Sequence, residues 1–291
     1  MHPPQFDYIA AQSLDEALEI LAERGDEAKV LAGGQSLIPL LKLRFASPGV
    51  LVDINRIPGL DTMTEEGGYL RVDALVRHRD AERSDLLRSG YPTMASAAPQ
   101  ISDPLVRNLG TICGSVAHAD PSGDWGAVML AMNAQFVAKS KQGERVIAAR
   151  DFFVGPFTTA LRPDEMLVEV RVPNAATKGS YHKLERKVGD YATAAVAVRL
   201  SMSDGRIDNA GIGLTAVGPT NLQASEAESM LAGQEPSNEL FRDAANAAAA
   251  TATPNPDTRG SAEYKRDVVR VFTERGLRAA AGMAGANGGA R

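Results

Sequence analysis

The chain has 291 residues, 44% of them hydrophobic, and its 31 Lys and Arg against 36 Asp and Glu give a formal net charge of −5. That apolar share excludes a disordered chain, and an acidic balance without a basic run argues against a nucleic-acid partner. No stretch approaches the roughly 18 consecutive apolar residues of a membrane span, and the start, Met1-His2-Pro3-Pro4-Gln5, lacks the charged and apolar regions of a secretory signal, so the expected location is the cytoplasm.

The length suits two or three compact units. Residues 13–24 read as a helix: Ser13 and Glu16 form a capping-box pattern, Leu14, Ala17, Leu18 and Leu21 share one face, and Gly25 stops it. Strands are predicted over 29–32, 50–54 and 69–76, with a Pro58-Gly59 turn between the last two. Helical pattern runs through 78–87 and 93–98. A glycine-punctuated loop is expected from Leu109 to Asp124, then a short helix over 125–132. Strands over 134–139 and 145–148 form a hairpin, and 166–172 is a strand closed by Pro173.

The loop-forming composition of 174–179 marks a boundary. Beyond it, strands are predicted over 181–186, 193–202 and 207–217, the last two joined by Ser203-Asp204-Gly205. Helices follow over 225–231, 238–250 and 262–280. Three strands and then three helices predict an α+β domain with helices on one sheet face. The Gly- and Ala-rich residues 281–291 read as a flexible tail.

Two segments carry the chemistry. In Ala32-Gly33-Gly34-Gln35-Ser36, a strand meets two glycines and then a helical pattern. Glycines there let backbone N–H groups turn toward a phosphate or diphosphate, and Gln35 and Ser36 add side-chain donors. A tight turn without a ligand reads equally well from this loop alone. P-loop and dinucleotide fingerprints do not fit the spacing. In the second segment Gly110 and Gly114 flank Thr111, Ile112 and Cys113, with Ser115, Asp120 and Asp124 following. A carboxylate suits ribose hydroxyls, so two glycine loops plus an acid suit a nucleotide. The plainer readings are helix-capping for Asp124 and a braced turn for Asp120. His118 with the two aspartates is a weak metal signal, and no metal site is assigned. Cys113 is the single cysteine, which excludes an intramolecular disulfide and an all-cysteine iron–sulfur cluster on this chain.

Taken together, Ala32-Gly33-Gly34-Gln35-Ser36 and Thr111-Ile112-Cys113-Gly114-Ser115 through His118, Asp120 and Asp124 resemble the two FAD loops of the medium (flavoprotein) subunits of molybdenum hydroxylases. So do Lys183-Leu184-Glu185-Arg186-Lys187, Gly189-Asp190-Tyr191-Ala192-Thr193 and the stretch from Asp164 to Pro173. Within the family the chain looks most like the aerobic carbon monoxide dehydrogenase group. The resemblance implies an α+β fold: a vanillyl-alcohol-oxidase (PCMH-type) FAD-binding region of two α+β subdomains over 1–175, then a C-terminal α+β domain of three strands with helices over 176–280. It implies that the two loops hold the FAD diphosphate, that Asp124 contacts the adenosine side, that Lys183 and Leu167 lie by the cofactor, and that Tyr191 stacks on the flavin. A hairpin-edge position is the plainer reading of Tyr191. Cys113 departs from the family by replacing the first of two adjacent glycines, which puts either ordinary dihedrals or a different loop there and brings the thiol near the cofactor.

The resemblance further implies partners: a small chain with [2Fe-2S] clusters and a large chain with the molybdenum cofactor, in a dimer of heterotrimers associated with the membrane at most peripherally. Electrons would pass from substrate through the clusters to FAD and on to an external acceptor such as a quinone. The chain itself carries no catalytic residue beyond the flavin. Alternatives are the same role in a hydroxylase of an N-heterocycle, purine or aldehyde, and, from another class, a non-redox nucleotide-binding regulator.

Overall fold

The computed structural model describes residues 2–283. Strands β1 (Asp7–Ala10), β2 (Ala28–Leu31) and β3 (Val50–Asp53) form a parallel sheet in the order β1-β3-β2. Helices α1 (Leu14–Arg24) and α2 (Leu37–Leu43) connect them. Ser13 caps α1 by accepting the Glu16 N–H at 3.1 Å, but the Glu16 carboxylate reaches one residue further back, to the Gln12 N–H. Gly25, at φ 50°, ends the helix.

A second sheet is antiparallel. It contains β4 (Met63–Glu66), β5 (Tyr69–Asp73), β6 (Gln135–Ser140) and β7 (Gly143–Ala148). Helix α9 (Ala149–Phe152) and a small ribbon of β8 (Phe153–Gly155) and β9 (Thr158–Thr159) lead to β10 (Met166–Pro173), which sits centrally in the order β4-β5-β10-β6-β7. Between β5 and β6 run α3 (His78–Arg83), α4 (Asp85–Gly90), α5 (Pro92–Ala97), α6 (Pro104–Leu109), α7 (Ile112–His118) and α8 (Asp124–Ala131). The single helix expected over 78–87 is two. Ser84 leaves helical dihedrals and caps α4, its hydroxyl accepting the Leu87 N–H at 3.1 Å.

The third sheet has the order β11-β12-β13-β14, from β11 (Lys178–Leu184), β12 (Ala194–Ser203), β13 (Arg206–Thr215) and β14 (Leu222–Gln223). The fourth strand corrects the expected three; two residues are too few to show a period of two. Helices α10 (Ser225–Leu231), α11 (Asn238–Thr251) and α12 (Ala262–Ala280) follow. Along β12 the faces alternate. Ala194, Val196, Val198 and Leu200 join the core under α10–α12, whereas Ala195 and Ala197 join the core that contains α5 and α8. The sheet is therefore covered on both faces, not one as expected.

Helix α8 is buried at every position, which its apolar surface on all sides requires. It packs backbone to backbone on β13: a Cβ at Gly211 or Gly213 would lie 1.9 Å from the carbonyl oxygen of Ala131 or Ala127. The Arg199 Nε donates to the Ala131 carbonyl at 2.8 Å and satisfies the helix end. This clamp fixes Asp124, the first residue of α8, relative to β11 and β12. Of the expected tail, Met283 packs on the third-sheet core, and residues 284–291 lie outside the described residues.

Candidate functional site

Both glycine segments meet at one cavity of about 710 Å³, within the range of about 300–1,000 Å³ common for ligand sites. Ala32 to Ser36 line one wall and Thr111, Cys113, Gly114 and Ser115 another. Asp124, Leu167, Lys183 and Tyr191 complete it from α8, β10, β11 and the loop after β11. Ile112 is the exception. Its side chain points from α7 into the core and is fully buried.

The first segment is a loop of unpaired donors. Gly34 has φ 70°, and among the described residues the N–H groups of Gly33, Gly34, Gln35 and Ser36 have no protein partner. Consecutive N–H groups of this kind form an anion-binding concavity. The Gln35 amide donates back to the Gly33 carbonyl at 3.2 Å, and the Ser36 hydroxyl makes no capping bond. Gly33 has a second reason to be glycine. A Cβ there would lie 2.2 Å from the Leu109 carbonyl oxygen and 2.7 Å from the Gly110 Cα. The first segment thus rests directly on the backbone that enters the second.

The second segment is not a loop throughout, contrary to expectation. Ile112–His118 is helical, and the Thr111 hydroxyl caps it by accepting the Gly114 N–H at 3.0 Å. A Cβ at Gly114 would lie 2.5 Å from that hydroxyl oxygen, so glycine permits the tight cap. Cys113 has ordinary helical dihedrals, which settles the departure from a glycine pair. Its thiol does not face the cavity as expected: Sγ points at the Val72 carbonyl, 3.6 Å away, and burial pushes the thiol pKa far up.

Asp124 does not cap α8; Gly123 holds that position. The carboxylate instead accepts the Tyr181 hydroxyl at 2.5 Å and the Lys183 ammonium at 3.1 Å. Lys183 also donates to the Gln100 carbonyl at 3.0 Å, and its side chain is 1% exposed. Burial raises the Asp124 carboxyl, against the pull of Lys183 and Tyr181, and drives the Tyr181 phenol well above its usual range. The Asp120 carboxylate accepts the Ser122 N–H at 2.8 Å and braces its turn. Among the described residues no group of His, Cys, Asp and Glu is arranged for a metal ion; His118 packs instead on the Phe157 ring.

Tyr191 is 52% exposed. Its loop is anchored by Asp190, whose carboxylate accepts the Tyr191 N–H at 2.8 Å and Arg259 at 3.0 Å.

His78 lines the same cavity and was not legible in its helical pattern. The Trp125 indole N–H donates to its Nδ1 at 3.0 Å, so that nitrogen is unprotonated. Burial, with Arg107 and Arg77 nearby, lowers the His78 pKa from 6.5 to about 4. A lowered pKa means that the unfolded chain binds the extra proton first. Stability is therefore full above about 6.5 and is lost as pH falls toward about 4, by about 3 kcal/mol. Urea unfolding at pH 7 and pH 4.5 should show this loss in the wild type and a smaller one in His78→Gln. Equal losses would contradict the assignment. Tyr181 was missed as well, although its spacing from Lys183 on a strand puts both on one face.

Comparison with known proteins decides the family. A family model described as the FAD binding domain in molybdopterin dehydrogenase matches residues 4–175, and one described as the CO dehydrogenase flavoprotein C-terminal domain matches residues 179–280. The chain belongs to the FAD-binding subunits of the molybdopterin dehydrogenases. It is 42% identical to the carbon monoxide dehydrogenase medium chain of Hydrogenophaga pseudoflava, over 96% of this chain and 98% of that one. It is 39% identical to subunit alpha of the 6-hydroxypseudooxynicotine dehydrogenase complex of Paenarthrobacter nicotinovorans, over 95% of each. A solved structure of carbon monoxide dehydrogenase from Hydrogenophaga pseudoflava superposes with a TM-score of 0.94 at 43% identity, covering 97% of this chain and 99% of that chain. No helix among the described residues of this FAD-binding subunit is long and apolar enough to cross a membrane. Its cavity fits FAD: the row of unpaired N–H groups suits a diphosphate, and a cavity of about 710 Å³ lined by both loops leaves room for the rest of a dinucleotide.

Proposed function

We propose that this chain is the FAD-carrying electron-transfer subunit of a molybdenum–iron–sulfur hydroxylase of the carbon monoxide dehydrogenase type. The observation that carries the cofactor site is the row of unpaired N–H groups from Gly33 to Ser36, in a segment that lines one cavity with the second glycine segment. In this reading Ala32 to Ser36 hold the diphosphate, and Thr111 to Ser115 form the wall opposite. The Cys113 N–H contributes at the start of α7 while its thiol stays on the far side. Asp124 and Lys183 form a wall for the nucleotide, Leu167 packs beneath it, and Tyr191 covers the flavin ring from the anchored loop. The chain divides near residue 175, with the cofactor held between the two parts. FAD, when bound, supplies the redox chemistry, and the protein supplies binding and orientation.

The single buried cysteine cannot hold an all-cysteine cluster, which supports placing the clusters on a partner chain; the assembly in this reading is a cytoplasmic dimer of heterotrimers, with the molybdenum cofactor on a further chain, that passes electrons to an acceptor such as a quinone. Membership in a dehydrogenase family sets aside the regulatory reading. Carbon monoxide is the substrate favoured by the 42% identity over nearly full length. The relative named for 6-hydroxypseudooxynicotine, at 39%, favours a second reading in which the partner chain selects an organic substrate. Anaerobic addition of carbon monoxide to the purified complex should bleach the flavin absorbance, and the isolated FAD-loaded chain should not respond. Bleaching by an N-heterocycle or aldehyde but not by carbon monoxide would favour the second reading. Bleaching of the isolated chain by carbon monoxide would overturn the electron-transfer role.

A further inference from the structure

Outside the cavity, the two loops are tied together a second time. The Asn55 amide nitrogen donates to the Ala32 carbonyl at 2.8 Å and to the Asp53 carboxylate at 2.6 Å. Its amide oxygen accepts the Arg77 guanidinium at 2.6 Å. The other arm of that guanidinium donates to the Leu109 carbonyl. Ala32 precedes the unpaired N–H row, and the Leu109 carbonyl is the oxygen against which Gly33 rests.

We infer that Asn55 and Arg77 are positioning residues of the cofactor site, forming an outer strut from the Ala32 carbonyl to the Leu109 carbonyl that sets the spacing of the two FAD loops. The inference rests on the FAD reading given above. Each end of the strut grips a main-chain carbonyl, so it acts on loop position rather than on the cofactor. Every hydrogen-bonding group of the Asn55 amide is used, which fixes its orientation. Asp53 holds the assembly to β3: its carboxylate also accepts the Asn55 N–H at 2.8 Å and the Tyr8 hydroxyl at 2.5 Å. Arginine suits the far end because one planar fork spans two acceptors, which a lysine ammonium on the same stem does not.

Asn55 is exposed and Arg77 is only partly buried, so truncating either should change global stability little. That separates positioning from support. In the full-length chain, stripped of FAD and titrated with it by flavin fluorescence, Asn55→Ala and Arg77→Ala should each weaken FAD binding by about tenfold or more. The double variant should be little worse than the weaker single one, because either change already breaks the strut. Arg77→Lys keeps the positive charge and should still bind poorly. Arg79→Ala, which removes a neighbouring arginine paired with Asp80 outside the strut, should bind normally. In the FAD-free chain, amide hydrogen exchange should rise in 32–36 and 109–115 for the strut variants, with unchanged thermal midpoints.

Wild-type affinity and unchanged exchange in Asn55→Ala would overturn the strut. Recovery in Arg77→Lys would show a charge effect instead, and would also overturn it. Additive losses in the double variant would do the same. A wild-type chain that takes up no FAD, with exchange still rising in the variants, would refute the cofactor reading and reduce the strut to a loop brace.

Discussion

Gly33→Ala is expected to give a folded chain that binds FAD markedly more weakly. The new Cβ meets the Leu109 carbonyl oxygen at 2.2 Å and the Gly110 Cα at 2.7 Å, and both are main chain that cannot rotate away. Overpacking of this kind costs about 1–3 kcal/mol, and here the relief is separation of the two loops. If that strain appears in binding, affinity falls by about tenfold to a hundredfold. Gly34→Ala is expected to do less. Its φ of 70° disfavours a side chain, at about 1–2 kcal/mol. Its nearest contact, however, is the end of the Ile38 side chain at 2.8 Å, which can move. The order of the two variants in FAD content, at matched circular dichroism, checks the account. Normal FAD in Gly33→Ala would show that contact between the loops does not set the site.

The second large effect concerns stability. Lys183→Met removes one partner of a buried pair and leaves Asp124 with the Tyr181 hydroxyl alone. Breaking a buried ion pair costs about 3–5 kcal/mol, because the remaining charge is desolvated and uncompensated. The pair joins β11 to α8, so the loss should loosen the packing between these elements. Asp124→Asn with Lys183→Met removes both charges of this pair, keeps an acceptor for Tyr181 and leaves Glu185, 3.6 Å from the Lys183 ammonium, as unpaired as in Lys183→Met alone, so the difference isolates the pair. The double variant should be markedly more stable than the sum of the two single losses predicts, as measured by urea unfolding of the four proteins. Strict additivity would mean that the two side chains do not act as a pair.

Local patterns account for much of what was legible in the chain. The α10 bounds follow from its apolar spacing between breakers, the β6–β7 hairpin from alternation around a polar turn, and the third sheet from three strand patterns in a row. Both glycine segments, read as neighbours, line one cavity. What stayed hidden depends on distant residues. Gly33 is dictated by Leu109 and Gly110, which local pattern cannot reveal. The helix at Ile112–His118 was masked because Gly110 and Gly114 look like loop punctuation, whereas the Thr111 cap needs Gly114 to be small. Asp124 looked like a cap because it opens a helix; its partners lie on another sheet. The covered second face of β12 followed from α8, a helix without a polar side, meeting glycines on β13.

The central claim is that the N–H row from Gly33 to Ser36 receives the diphosphate of FAD. A crystal structure of the FAD-loaded chain tests it most directly. The account predicts phosphate oxygens within about 2.7–3.2 Å of those nitrogens, with the loop still resting on Leu109. FAD bound elsewhere, or bound with that row still unpaired, would contradict it.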